Sequence, residues 1–426
     1  MSKIQFPEEA GKLKIYFHIA ENSGVGLYRQ YQLAKELMDK KLANVLINDF
    51  TWGVNRFSVI DKKGKQKLFP TSAEAMAKIT SGEIKTQVIQ EISLVEPSME
   101  TMIDIANWAD IIVVGRKDIG EYYATWGALK EFFNMPIIMD TDDNVHFVRP
   151  SNPGYQSYGP NSEHLEWHNK AVRGVFDGMT VSTDNLGEYY KKENPKIEVV
   201  RNSIDFNVWD KAKKLKKKHK GLRICFNGSS SHWEGSRLIE QPIVKILREF
   251  PETTFIIPRV YSNIFDTYTD LAGRIEYFDW ITLKEFPVKM AKLNIDIGLA
   301  PLADNMFNRA KSNLRWMEFS ALEIPVVCSP VEAYKNVVDK KTGMLALEKE
   351  EWYNSIKALI LDENLRRTLA KNANTEVREK FNLEINAPKV LPFYQDVVNK
   401  FHALLGQKKE FMKTDKGWRE LKYKSY

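Results

Sequence analysis

The strongest chemical signal in this chain is a cluster of polar residues where a loop runs into a helix: Lys311, Ser312, Asn313, Arg315 and Glu318. Ser312 and Asn313 are both of the type that caps a helix, and the run from Leu314 to Ala321 continues helically. The first turn of a helix leaves backbone N–H groups free and carries a partial positive charge, so it receives anions. Lys311 and Arg315 add two full charges at the same place. Glu318 lies three residues after Arg315, on the same helix face. The cations suit a diphosphate and the carboxylate suits ribose hydroxyls, so the cluster fits a nucleoside diphosphate.

The elements that must position this cluster read as strand, loop, helix, strand. Ile295 to Ala300 is a short apolar run suited to a strand buried on both faces, and Pro325 opens a second, Val326 to Cys328. In such a unit the loop and the helix start meet at the carboxyl edge of the sheet. Two glycine loops sit after other predicted strands. Gly24 and Gly26 follow Lys14 to Ala20, where a backbone without side chains lets a ligand approach closely. Gly228, Ser229, Ser230 and Ser231 follow Arg223 to Asn227 and offer N–H and hydroxyl groups to a phosphate, with His232 and Arg237 close in sequence.

A second polar cluster, Asp140, Asp142, Asp143, Asn144 and His146, follows the predicted strand Pro136 to Asp140. Three carboxylates at a strand end do not belong in a core without partners. Residue type alone would permit a divalent ion. The preferred reading is that some bind hydroxyls of a substrate and some cap the turn. His164 and His168 share a face of a predicted helix, and with no further ligands in view they read as packing or surface residues.

At 426 residues the chain has room for two domains, and 43% hydrophobic residues is the composition of a globular protein. There is no apolar stretch of membrane-spanning length, and the opening residues lack the core of a signal peptide, so a cytoplasmic location is expected. Cys225 and Cys328 both fall in predicted buried strands and read as core thiols. The net charge of +6 permits phosphate-rich partners without establishing one. Basic residues concentrate in a hairpin-like piece at 61–67, in the run Lys211 to Arg223, which reads first as a solvated linker, and in a tail from Gln407 with interleaved aromatics. Further strands are predicted at Asn44 to Phe50, Asp110 to Arg116, Gly178 to Thr183, Ile197 to Asn202, Thr254 to Pro258, Arg274 to Asp279 and Gly343 to Leu347. Residues 51–98 break the α/β rhythm and read as an insertion with a polar helical piece near Ser72 to Lys78. Its Trp52 and Arg56 are of the types that stack on an acceptor or contact its phosphates.

The run AKSNLRWMEFSALEIPVV resembles the donor-binding motif of GT-B nucleotide-sugar glycosyltransferases, specifically glycosyltransferase family 4. The family's second glutamate corresponds to Glu318, its first falls on Ala310, and Glu323 stands where the family has glycine. The Lys-Ser form and the Asp-Thr-Asp-Asp-Asn segment resemble a divergent branch frequent in phage genomes and surface-glycan clusters. Tyr277 to Trp280 resembles the place where the family seats the nucleotide base. The resemblance implies an α/β GT-B fold of two Rossmann-like domains facing a cleft: an acceptor-side domain at 1–205 (with 51–98 inserted), a donor-binding domain at 206–387, and a helix from Pro388 crossing back, followed by the tail, at 388–426. It implies transfer of a sugar from a nucleoside-diphosphate sugar, as co-substrate, to a hydroxyl, with retention and with neither cofactor nor metal. Gly24, Gly26, Gly228, Ser229, Ser230, Lys311, Ser312, Asn313, Arg315 and Glu318 would bind the donor, and Trp52, Arg56, Asp140, Asn144 and His146 the acceptor. Lys311 and Arg315 would stabilise the leaving group, and Asp142 or Asp143 would be the base if the reaction inverted. The expected acceptor is a hydroxymethylated pyrimidine in double-stranded viral DNA, with a surface glycan or lipid-linked saccharide as the alternative. A nucleotide-sugar epimerase and a noncatalytic binding protein are the rival functions.

Overall fold

The computed structural model describes residues 5–20, 24–48, 56–60, 66–69, 90–92, 98–118, 120–279, 285–414 and 417–420. The strands of the first half are β1 (Lys14–His18), β2 (Asn44–Ile47), β3 (Arg56–Ile60), β4 (Gln66–Phe69), β5 (Gln90–Ile92), β6 (Ile111–Gly115), β7 (Ile137–Thr141), β8 (Gly178–Val181) and β9 (Ile197–Val199). Six of them form a parallel sheet in the order β2-β1-β6-β7-β8-β9. Every residue of β6 and β7 is buried, as their unbroken apolar runs require of a sheet covered on both faces. The second half contributes β10 (Leu222–Phe226), β11 (Thr253–Pro258), β12 (Ile275–Phe278), β13 (Ile297–Ala300), β14 (Val326–Cys328) and β15 (Met344–Leu345), again all parallel, in the order β12-β11-β10-β13-β14-β15. In each sheet the chain starts in the middle, runs to one edge, then returns to fill the other. The reversal lies between β1 and β6 in the first sheet and between β10 and β13 in the second. Open α/β sheets bind ligands beyond the carboxyl ends of the strands at this switch point.

Each sheet is sandwiched between helices. In the second domain, Gly298 lets the helix Leu314–Ala321 lie close on β13: a Cβ there would come within 2.7 Å of the Phe319 ring. The domains are joined twice at one place. Ile204 N–H donates to Phe381 O at 2.7 Å and Leu383 N–H donates to Ile204 O at 3.0 Å. The return to the first domain therefore begins at Leu383, five residues before the expected Pro388. Leu383, Ala387, Val390, Tyr394 and Val397 are buried with Ile15, Phe17 and Val113 against the first sheet. Pro388 and Pro392 each sit in the first turn of a helical segment, where a missing N–H costs nothing, so they do not mark the boundary.

Within 51–98, β3 pairs antiparallel with both β4 and β5, and Ile60 faces Gln66 across the hairpin expected there. Trp52, the side chain of Arg56 and the helical piece at 72–78 lie outside the described residues. Cys225 and Cys328 are buried free thiols, as expected. The basic run after Lys211 ties the linker down: Lys213 pairs with Glu323 at 2.8 Å and Lys216 Nζ donates to Leu322 O at 3.3 Å. Part of the tail is docked rather than free. Lys408 Nζ donates to the carbonyls of Asn107 and Ala109 at 2.7 and 2.9 Å, and the Phe411 ring stacks edge-on to Phe133. Beyond it, β16 (Phe411–Thr414) and β17 (Gly417–Glu420) form an antiparallel pair.

Candidate functional site at the facing sheet edges

The carboxyl ends of β1 and β7 from the first domain, and of β10 and β13 from the second, meet around a cavity of about 360 Å³. Gly24, Tyr28, Asp142 and Asp143 line it from one side; Ser229, His232, Lys311, Ser312, Arg315 and Glu318 line it from the other. Asn313 caps the helix Leu314–Ala321 without a side-chain hydrogen bond, which leaves the first-turn N–H groups available, and Lys311 and Arg315 flank that turn. The loop before it folds more tightly than expected, with a short helical turn at Met306–Arg309. Gly235, in the helix after the serine loop, lets that helix touch the same loop: a Cβ would meet Pro301 O at 2.4 Å. The serine loop is held from below, since the Tyr261 hydroxyl donates to Ser229 O.

His232 accepts from Arg315 Nη2 at 3.3 Å through Nε2, because a guanidinium has no acceptor to offer. Burial, then the charges of Arg315 and Lys311, hold this imidazole well below its ordinary pKa, so it is neutral. Lys311 Nζ reaches Asp143 Oδ1 at 3.3 Å across the cleft. Burial raises Asp143, but Lys311 and Arg116 outweigh it and leave the carboxyl below its usual range. Asp142 goes the other way. Burial and then the Asp143 charge push it up to about 7, against Arg29, Lys311 and Arg116. Its Oδ1 is buried with no hydrogen-bond partner among the described residues. Glu318 accepts from Tyr28 at 2.9 Å, and burial raises its pKa against the pull of Arg315 and Tyr28.

Several expected site residues are elsewhere. Asp140 is not free to bind an acceptor: Arg29 takes both its oxygens at 2.6 and 3.2 Å and Thr180 donates to it at 2.6 Å, all inside the first domain. Asn144 is buried, and its side-chain oxygen caps a turn by accepting from His146 N–H at 3.3 Å. His146 turns away from the cavity to Asn169 Oδ1, at 2.6 Å, and packs on the rings of Tyr189 and Tyr190. Ser230 is exposed on the outer side of its loop, and neither it, Gly228 nor Gly26 lines the cavity. Gly228 instead makes room for the Phe226 ring, which a Cβ would approach to 2.6 Å. Arg237 pairs with Glu240 at 2.8 Å and stays out of the site. Tyr277 donates to Asp266 at 2.7 Å, and Trp280 lies outside the described residues. His168 is a fully buried packing residue between Asp118 and Tyr190.

The position of the absent glutamate has a physical explanation. Ala310 is fully buried in the first domain's hydrophobic cluster, and its carbonyl accepts from Thr183 Oγ1 at 2.9 Å. A long carboxylate does not fit there. Glu323, in the position of a family glycine, has φ +54° and so occupies the left-handed region that makes glycine the usual choice. Among the described residues no three His, Cys, Asp or Glu side chains converge as a metal site.

No family model matches the chain. It is similar to a protein named as an uncharacterized glycosyltransferase of Methanocaldococcus jannaschii, at 24% identity over 197 residues. The match covers 44% of this chain and spans about half of that protein, 48%. Among solved structures, Anabaena HepE in complex with UDP superposes with a TM-score of 0.60 at 15% identity, covering 90% of this chain and 100% of that one. Sucrose-phosphate synthase from Thermosynechococcus elongatus gives 0.58 at 14% identity, with 91% and 100% covered. A glycosyltransferase from Rickettsia africae gives 0.57 at 14% identity, with 91% and 99% covered. At such identities the likeness is one of architecture. With two doubly wound sheets that face each other across a cleft and this shared superposition, the chain has the GT-B fold.

Proposed function

We propose that the protein transfers a glycosyl group from a nucleoside-diphosphate sugar to an acceptor hydroxyl. The observation that carries this reading is the helix start at the β10/β13 switch point, with Lys311 and Arg315 beside free N–H groups and Glu318 one turn on, all lining one cavity. The name of the archaeal relative and the UDP and UDP-glucose held by HepE support it. As the bond from the anomeric carbon to the diphosphate oxygen breaks, its electron pair stays on the diphosphate. Lys311, Arg315 and the N–H groups stabilise that growing charge. Glu318 accepts hydrogen bonds from the ribose.

Retention follows if the acceptor enters on the face that the diphosphate leaves, where a leaving-group oxygen can take the hydroxyl proton. Asp142 favours a second reading, inversion, because a carboxylate with one buried, unpartnered oxygen and a pKa pushed up to about 7 is suited to act as a base. The anomeric proton coupling of the product, read by NMR, decides between them.

For the acceptor we propose a hydroxymethylated pyrimidine in DNA, on the resemblance of the Lys-Ser form and the Asp-Thr-Asp-Asp-Asn segment to phage-encoded family members and the charge of +6. Lys213, Lys216 and Lys408 are used internally, so the phosphate contacts fall to the exposed Lys214, Lys217, Lys218 and Lys220. The base would have to leave the stack to reach the cleft. The test is incubation of hydroxymethylated and unmodified duplexes with a panel of nucleotide sugars, then digestion to nucleosides for mass analysis. A glycosylated nucleoside supports the proposal. Transfer only to a saccharide or lipid-linked acceptor replaces the acceptor and keeps the enzyme class. Epimerised donor without transfer, or no turnover of any donor, rejects the class.

A further inference from the structure

Nothing in the sequence points to Tyr28, which lies on the first domain, yet it touches the carboxylate at the heart of the second domain's pocket. We propose that Tyr28 is a positioning residue for the donor: its hydroxyl, reaching across the cleft, fixes the Glu318 carboxylate in the orientation that receives the ribose hydroxyls. The proposal rests on the donor reading above.

The contact is well built. Tyr28 is 4% exposed and Glu318 6%, and the hydroxyl donates to Oε1 at 2.9 Å. A carboxylate has about four acceptor positions, so Tyr28 takes one and leaves the rest for a ligand. Tyr28 is itself held firmly. It stands in a π-helical turn, Gly26–Tyr31, a rare widened form often found at functional sites. Its neighbour Arg29 is locked in the first domain's core by Asp140, by Asn202 Oδ1 at 3.2 Å and by the carbonyl of Val200. Leu27 and Tyr28 pack into the second domain's cluster with Phe286, Trp316 and Met317. The same Asn202 donates to Ser312 Oγ at 2.8 Å. The donor helix is thus gripped at its start through Asn202 and one turn later through Tyr28, and both grips trace to Arg29. A side chain that only filled space would need none of this polar bracing.

The groups facing Glu318 are Tyr28 from the π-turn, Arg315 on its own helix and Tyr334 from the turn Glu332–Tyr334, with Lys311 and His232 lining the same side of the cavity. The Tyr28 hydrogen bond favours the ionised carboxylate, so its loss raises the Glu318 pKa. Ionised, Glu318 is an acceptor at every position; protonated, it turns one oxygen into a donor and accepts less strongly. Binding therefore weakens as pH falls through that pKa, and without Tyr28 the weakening comes at higher pH.

The test uses the full chain and calorimetric titration with UDP, GDP, ADP, CDP and dTDP from pH 4.5 to 8. The wild type is compared with Tyr28→Phe, Glu318→Gln and the double variant. The expected result is that Tyr28→Phe weakens the best nucleotide about tenfold, the usual scale for a hydrogen bond to a charged group, and moves the acid limb of binding to higher pH. In the Glu318→Gln background it should do neither. Three results overturn the proposal: unchanged affinity and pH limb in Tyr28→Phe, tighter binding in Tyr28→Phe, or an equal effect with Gln at 318. If Glu318→Gln weakens binding and Tyr28→Phe does not, only the Tyr28 proposal falls. If the wild type binds none of these nucleotides, the donor reading falls and takes the proposal with it.

Discussion

Lys311 and Arg315 are each expected to supply a charged donor to the leaving diphosphate. Lys311→Ala or Arg315→Ala should lower kcat/KM by about 10²-fold or more, and Glu318→Ala should act chiefly on donor KM. Steady-state kinetics with the accepted donor checks this, and near-normal constants in all three would remove the donor-site assignment. Asp142 gives a prediction that needs no substrate. Its folded pKa, about 7, lies above the ordinary carboxylate value because of burial and the neighbouring Asp143 charge. Between the two values the folded state binds more protons than the unfolded one, so this group lowers stability as pH rises from about 4 to 7. Asp142→Asn should therefore raise Tm at pH 8, and the gain should shrink towards pH 4.5. Parallel melts of the two proteins check this; a gain that is constant with pH would contradict it.

At the scale of elements, the fit of β13 to its helix depends on one missing side chain. Gly298→Ala drives a Cβ to 2.7 Å from the Phe319 ring, which is itself buried under the sheet. Overpacking of this kind costs about 1–3 kcal/mol, so a clear fall in Tm is expected, and donor affinity should fall with it because Phe319 adjoins Glu318. A variant as stable as wild type would mean the helix can slide. The strands themselves were legible in the sequence, because a buried parallel strand is an almost unbroken apolar run and these runs recur between helical stretches. The helix face with Arg315 and Glu318 was legible for the same reason, since helical spacing is local. What was not legible depends on distant partners. Asp140, Asp142 and Asp143 look alike in sequence. Arg29, 111 positions away, claims the first and leaves the others to the cleft. Tyr28 and Glu318 meet over a separation of 290 positions, which no periodicity reveals. The return at Leu383 was hidden because the expected start, Pro388, does begin a helical segment, while the short helix Leu383–Asn386 before it carries no signal of the crossing.

For the whole molecule, activity is expected to survive chelation. The strand-end aspartates are committed to Arg29 and Lys311 or lie unpaired, and the leaving group has protein cations to meet it. Assay after EDTA treatment checks this; loss of turnover restored by one divalent ion would require a metal. The two sheets meet through named cross-cleft contacts: Lys311 with Asp143, Asn202 with Ser312, Thr183 with the Ala310 carbonyl, and Glu234 with Ser151 at 2.8 Å. None is large alone, and exposed ion pairs among such contacts weaken with salt.

The paired crossing at Ile204 and Asn382 has a kinematic consequence. Both covalent links between the domains pass through one bridged point, so neither link can lengthen without the other. A relative swing of the domains about that point would displace each contact in proportion to its lever arm. Asn202, only two residues from the pivot, travels least, so its bond to Ser312 should persist through small openings. Contacts further out along the lips part first. An opening hinged there would widen from the rim inwards and close back onto its innermost bonds.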